Sequence, residues 1–305
     1  MKVIICDVGD AACALVTCSN GHTMMIDCGS KSDKENPVDV FKNNKQWLGS
    51  VDYITRLYAR YPITLLHITH PDDDHVRNSK RVVEEIPPYL VKRNNCIEYD
   101  DKSEINTDYR LNIDNVYNGT NPEAIEWGFD INKTWSIPTS ICKTYETLNN
   151  KVRNNSSIVR YIKDNGVGIL FCGDLERPGW EYLATHNSDF VSTMKTEGVD
   201  ILIAPHHGHK SGFPKALFDI IGSVSVVIHS KDTESSKEGT DVSSQYSSFS
   251  KGVCYFPLSD NASAYFGRVL TTRSNGHIFI DTSSNILDCG KIWTQKASPN
   301  HDRIR

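Results

Sequence analysis

The chain has 305 residues, 38% of them hydrophobic and 23% charged, which places it among globular proteins with a full core in one large domain or two small ones. A formal net charge of −5 excludes a protein that coats nucleic acid nonspecifically, because that mode needs dense Lys and Arg, while a local basic groove stays compatible. No apolar stretch approaches the roughly 20 residues that span a bilayer, and Asp7 interrupts the first apolar run before a signal-peptide core can form.

In chain order, "KVIICDV", "CALVTC" and "HTMMIDCG" are short apolar or β-branched runs bounded by Gly, Asn and Ser, and predict strands. "VDVFKNNKQWLGSVDYITRLYARY" has apolar residues at mixed three and four spacing and predicts a helix over 38–61. The strand "ITLLHITH" follows, then a helix over 78–92 broken at Pro87-Pro88. Residues 93–150 are polar and rich in Asn and Asp, which predicts an irregular insertion.

Strands resume with "SSIVRYI" and "VGILFCGD", followed by a helix near 178–195, the strand "VDILIAPHHG", a helix near 213–222 and the strand "VSVVIHS". The Ser-rich, charged run 231–251 predicts a loop. Strands near 253–257, 268–273 and 277–281 close the pattern, so one domain is expected over 1–292, with a frayed C-terminal tail over 293–305. The elements do not alternate as in a doubly wound sheet. Two sheets packed face to face with helices outside fit them better.

Nine cysteines form no CxxC pair and their number is odd, which predicts reduced, mostly buried thiols and a cytoplasmic protein.

Polar groups gather where strands end: His70, Asp72, Asp74 and His75 in "THPDDDH"; Asn155 and Ser156; Asp174 in "FCGDLE"; His206 and His207 in "APHHGHKSG". Imidazoles and carboxylates spread over several strand ends are how a preformed site for zinc or a harder first-row ion is built. Taken singly, "GD" reads as a turn and "DDD" as a solvated face. Together they point to metal.

"THPDDDH" resembles the His-x-His-x-Asp-His signature of the metallo-β-lactamase fold, with Asp72 in place of the second histidine. With "DVGDAACALV", "MMIDCG", "NNSSIV", "LFCGD", "APHHGHKSG" and "TTRSNGHIFI" around it, the order of motifs resembles the soluble hydrolase domain of the ComEC competence proteins and their stand-alone relatives. The resemblance implies an α/β, four-layer αββα sandwich. It also implies a two-metal phosphodiesterase or nuclease that uses a metal-bound hydroxide and takes zinc or manganese.

On this chain His70 and Asp72 would then bind one ion, Asp74 and His75 the other, and Asp174 would bridge both. His206 or His207 would complete the second site, with His206 favoured as the ligand and His207 as the group facing substrate. Asp74, Asp174 and His207 would carry the catalysis, and Asp7 and Asp27 would support the ligands from behind. Asn155, Ser156, Lys210 and Ser211 are weaker candidates for binding substrate, and Arg177 and Lys231 follow strand ends on the same face.

The implied partner is a phosphodiester, such as a nucleic acid or a cyclic nucleotide, and no membrane. A small ester or lactam, or a metal-binding sensor without activity, are the alternatives. His67 reads as a core residue, His209 as an exposed loop residue and His229 as a weak site candidate. His22, His186, His277 and His301 have no supporting company. Asp73, between the ligands, falls outside the signature's metal shell.

Overall fold

The structure is a computed structural model that describes residues 1–31, 34–94, 104–117, 125–230, 242–258, 263–283 and 292–295. Among them, nine strands form the larger sheet, in the spatial order Tyr265–Gly267, Val253–Pro257, Ile292–Gln295, His277–Asp281, Lys2–Ile5, Ala14–Thr17, Thr23–Ile26, Ile63–His67 and Pro88–Lys92. Six form the second: Val269–Thr271, Val226–His229, Ile201–Ile203, Val167–Phe171, Val159–Asp164 and Ile131–Trp135.

Period-two side-chain alternation stacks these sheets into layers. Along Lys2–Ile5, Val3 and Ile5 enter the core between the sheets while Ile4 points into the outer layer. Along Val167–Phe171, Val167, Ile169 and Phe171 meet them from the other sheet, and Leu170 faces outward. Val38, Phe41 and Leu48 of the helix Pro37–Leu48 cover the outer face of the larger sheet. Trp180 and Leu183 of Arg177–His186, Phe190 and Met194 of Ser188–Glu197, and Leu217 and Phe218 of Lys215–Ile221 cover the second. The expected four-layer αββα sandwich is therefore the architecture found.

Several local expectations need correction. The helix predicted over 38–61 ends at Leu48, because Gly49 adopts the left-handed conformation (φ 69°) and its N–H, with that of Ser50, turns back to Gln46 and Lys45. The apolar residues beyond it sit instead on the hairpin Tyr53–Ile54 and Arg60–Tyr61. The helix predicted over 78–92 is Ser79–Glu85 only, and Pro88–Lys92 is a strand at the sheet edge, where proline's missing N–H costs least. Within the stretch taken as irregular, Ile131–Trp135 pairs antiparallel with Val159–Asp164 and forms the edge of the second sheet.

Part of the Ser-rich run, Ser243–Ser248, is helical and buries Tyr246 against Phe213 and Phe218. The rest, 231–241 with Lys231, lies outside the described residues. The strand Ile292–Gln295 enters the stretch expected to be a tail, and the remainder, with His301, is likewise outside them. Six of the seven described cysteines are buried and all are free. No helix among the described residues is long and apolar enough to cross a membrane.

Thr23–Ile26 runs parallel to Ile63–His67 in one sheet, and Val167–Phe171, Ile201–Ile203 and Val226–His229 run parallel in the other. Their carboxyl ends lead to Asp27, His70, Asp174, His206 and Ser230. Parallel pairing thus gathers these residues at one end of the sandwich.

Candidate metal centre

After Ile63–His67 the chain delivers His70, then turns into the single helical turn Asp73–Val76, where the His75 and Val76 N–H groups fold back to the Asp72 carbonyl. That turn places Asp74 and His75 side by side. It is clamped from behind by Ala12 N–H on the Asp74 carbonyl (3.0 Å) and Cys28 N–H on the His75 carbonyl (2.8 Å). Gly29 lies so close that an added Cβ would come within 1.6 Å of the Asp74 carbonyl oxygen. Gly173, with φ 54°, makes the bend after Val167–Phe171 that turns Asp174 inward, against Thr69 and Ser157.

Asp174 is the centre of the arrangement, and its two oxygens face different partners. Oδ1 lies 3.1 Å from His75 Nε2 and 3.6 Å from His207 Nε2, and His207 Nε2 also meets Asp74 Oδ2 at 3.1 Å. Oδ2 lies 3.6 Å from His206 Nε2 and 3.9 Å from His70 Nε2, and His70 Nε2 is 3.6 Å from Asp72 Oδ2. Each oxygen thus sees two imidazoles, with a second carboxylate close by.

Both histidines of "HH" adopt left-handed backbone (φ 51° each), a conformation that costs a non-glycine residue about 1 kcal/mol or more. It is held by His206 N–H on the Gly173 carbonyl (3.0 Å) and His209 N–H on the His206 carbonyl (2.7 Å). The consequence is that two consecutive side chains reach one carboxylate.

The far nitrogens are fixed as well. Asp27 Oδ2 sits 2.8 Å from His75 Nδ1 while Asp27 accepts from the Thr69 amide and hydroxyl, so it orients one imidazole and the loop that carries another. Ser230 Oγ is 2.9 Å from His207 Nδ1, and Ser211 Oγ is 2.8 Å from His206 Nδ1. Glu176 Oε1, 3.5 Å from His206 Nδ1, accepts from the Ser211 hydroxyl. Burial pushes the Glu176 carboxyl up.

A cavity of about 50 Å³ is lined on one side by Ile5, Ala14, Ile26, Phe171 and Ile203 and on the other by Asp27, His75, Asp174 and His207, so apolar walls border the charged groups.

The donors suit divalent cations. Asp74, His75, Asp174 and His207 each offer an atom within 4.8 Å of the others. His70 Nε2 is buried, aimed between two carboxylates and makes no hydrogen bond, as an imidazole shaped for a cation would.

Electrostatics of the metal-free protein point the same way. Burial opposes a charged His75, yet Asp174, Asp27 and Asp74 together hold its pKa well above the usual imidazole range. Burial likewise opposes a charged His207, and Asp174 and Asp74 outweigh it. Burial works against ionised Asp174, but His75, His207 and His70 keep its carboxyl well below the ordinary value. His206 is pushed down by burial. Protons on His75 and His207 therefore balance carboxylates that a metal ion would otherwise neutralise.

A pH dependence follows. A histidine with a folded pKa above its unfolded value contributes stability that is complete below about pH 6.5 and lost as pH rises through the folded value. His22, His67, His206 and His209, whose values are lowered, change stability in the opposite direction, but that contribution levels off once the unfolded imidazoles are neutral. The melting temperature of chelator-treated protein is therefore expected to fall as pH rises above about 6.5, before the thiols begin to titrate. Saturating zinc or manganese should remove the fall. Thermal scans across this range check it, and a melting temperature that climbs throughout would refute it.

Other expected residues are placed elsewhere. Asn155 is buried and donates to the Leu148 carbonyl, and Ser156 is fully buried. Ser211, half-buried, hydrogen-bonds His206, and Lys210 is exposed with its carbonyl accepting from Arg177. Asp7 gives its amide to His277 Nδ1. His67 is a core residue, fully buried with Nδ1 3.3 Å from Arg160 Nη2.

His229, buried under Gly208, supports the "HHGH" turn. His209 shares Ser211 with His206, His186 stacks on Tyr182, and His22 packs by Tyr53. Sequence reasoning missed Ser230, Thr69, Gly29 and Arg153. Arg153 lies just before the quoted "NNSS", and its Nη1 is 3.0 Å from Asp72 Oδ1.

No family model and no curated protein matches the chain. Solved structures that it resembles include proteins described as metallo-β-lactamase-fold or superfamily members. One, from Thermotoga maritima and assigned as a zinc-dependent hydrolase of that superfamily, is 13% identical, with 89% of this chain and 98% of that chain covered and a TM-score of 0.39. Zinc-bound PqqB from Methylobacterium extorquens is 10% identical over 75% of this chain and 88% of its own, with a TM-score of 0.36. The short form of human tRNase Z is 14% identical over 75% and 91%, with a TM-score of 0.33. Likenesses this distant carry no argument about activity, which rests on the side chains described above.

Proposed function

We propose that the chain is a two-metal hydrolase of phosphodiesters. The observation that carries this reading is the division of partners around Asp174: His75, His207 and Asp74 gather at Oδ1, while His70, His206 and Asp72 gather at Oδ2. This assigns one histidine of the "HH" pair to each ion, instead of one ligand and one substrate-facing group. A pair of divalent cations bound there would supply Lewis acidity for phosphoryl oxygens and acidify a water, with zinc or manganese both compatible with a mixed imidazole and carboxylate set.

The chain's own residues prepare that chemistry. Asp27, Ser230 and Ser211 fix imidazole orientation, so that Nε2 of His75, His207 and His206 points into the cluster. Choice of a phosphodiester, from nucleic acid or a cyclic nucleotide, is supported by the order of motifs that resembles the ComEC hydrolase domain. A cytoplasmic setting is supported by the free, mostly buried cysteines.

The test is a metal and substrate screen on the purified protein. Stripped protein should take up two ions per chain on adding back zinc or manganese. Loaded protein should cleave single-stranded DNA, RNA, a cyclic nucleotide or a generic phosphodiester. A stoichiometry that stops at one would remove the two-metal reading. Full loading with no substrate cleaved would favour a sensor.

A further inference from the structure

Arg153 stands on the Asp72 side of the cluster, on the short helix Val152–Asn155. Its Nη1 comes within 3.0 Å of Asp72 Oδ1, yet that oxygen has no aligned hydrogen bond, so the contact is one of charge rather than of a locked fork. The side chain keeps 38% of its surface exposed, and Asp72 keeps 27%. Asp72 is its ion-pair partner among the described residues.

The other arginines with described contacts are spent differently. Arg81 grips Asp39 with two nitrogens, Arg93 is tied to Asp114 and the Tyr117 carbonyl, Arg160 is buried with Asn132 and His67, Arg177 donates to the Lys210 carbonyl, and Arg268 donates to the Ser247 carbonyl. Arg153 therefore leaves part of a planar, five-donor cation exposed beside Asp72. A guanidinium in that state matches two oxygens of one phosphoryl group.

We propose that Arg153 is the anion-binding residue of this centre: its guanidinium, steered by Asp72 but not consumed by it, takes a phosphoryl oxygen of the substrate and so selects anionic over neutral substrates. The inference rests on the two-metal reading above and deepens it by naming the residue that sets substrate class. A neutral ester or lactam would leave the guanidinium without a partner. Close to Asp72 the cation also lowers the local negative charge that three aspartates would otherwise turn toward an incoming phosphate.

The experiment uses manganese-loaded wild type, Arg153→Gln and Arg153→Lys, with inorganic phosphate as binding probe and two substrates, bis(4-nitrophenyl) phosphate and neutral 4-nitrophenyl acetate. Phosphate affinity measured by calorimetry should fall on the order of 10- to 100-fold in Arg153→Gln, the usual worth of a charge-assisted contact. Arg153→Lys should recover part of it, having charge without the fork. Diester hydrolysis should lose mainly through a raised KM, while any hydrolysis of the neutral ester stays unchanged and both variants still take up two ions.

Phosphate affinity within twofold of wild type in Arg153→Gln would overturn the proposal. So would an equal loss on the neutral ester, or a variant that changes only by binding metal more tightly, which would make Arg153 a mere counter-ion of Asp72. Absence of diesterase activity in wild type would sink the phosphodiester reading, and the phosphate titrations would still decide the role of Arg153.

Discussion

Replacing Asp174 by asparagine is expected to lower turnover by about three orders of magnitude or more and to reduce bound metal below two ions per chain. The amide keeps the size of the side chain, so packing over Gly173 and Thr69 is preserved. What changes is charge at a point that faces four imidazoles. Asp174 is the strongest favourable influence on both His75 and His207, and its own carboxyl is held ionised by His75, His207 and His70. An amide offers one oxygen and a pair of donors, so the half of the cluster left facing N–H groups would repel a cation.

Asp73→Asn is the control. Asp73 lies in the same helical turn, but the described group of converging donors consists of Asp74, His75, Asp174 and His207. Metal content and kcat should stay near wild type. Both variants should give wild-type circular dichroism. Equal activity of the two against a responsive substrate would mean that Asp174 does not bridge a catalytic pair.

Gly29→Ala should be as damaging by a purely steric route. An added Cβ would lie 1.6 Å from the Asp74 carbonyl oxygen and 2.4 Å from its carbon, and both are backbone atoms that no rotamer change can move aside. The segment Cys28–Gly29 must recede from the turn that carries Asp74 and His75. That breaks the bonds from Cys28 N–H to the His75 carbonyl and from Gly29 N–H to the Ala12 carbonyl. Overpacking of this severity costs about 3 kcal/mol or more. The expected result is a melting temperature lowered by several degrees or more, with weaker metal binding in the fraction that remains folded. Calorimetry and metal titration measure the two effects, and a variant with wild-type values in both would show that the close approach is relieved cheaply.

These two predictions concern different links between chain and chemistry. The first removes charge from an intact frame, and the second displaces the frame with charge intact. Loss of metal through either route would tie the centre to the packing of the turn against Ala12 and Gly29.

Local pattern alone made legible the residue types of the centre and the strands that end in them. "THPDDDH", "FCGD" and "APHHG" each follow an apolar run, and a local pattern suffices because period-two burial and strand termination are properties of neighbouring residues. It also identified His67 correctly as core. What it left open depended on contacts between distant segments. Whether His206 or His207 meets the carboxylates follows from left-handed backbone at both residues, fixed by a bond to Gly173 more than thirty positions away in the chain. That Asn155 donates to the Leu148 carbonyl and packs beside Gly179 was likewise not legible locally.

The strand Ile131–Trp135 lacked a strong pattern of its own and exists because Val159–Asp164 offers it a ladder, and Arg153 became a site residue only when its helix was set beside Asp72. Apolar periodicity records which side of an element is buried. The partner that it meets, and the oxygen that faces each imidazole, were decided by how the two sheets stack.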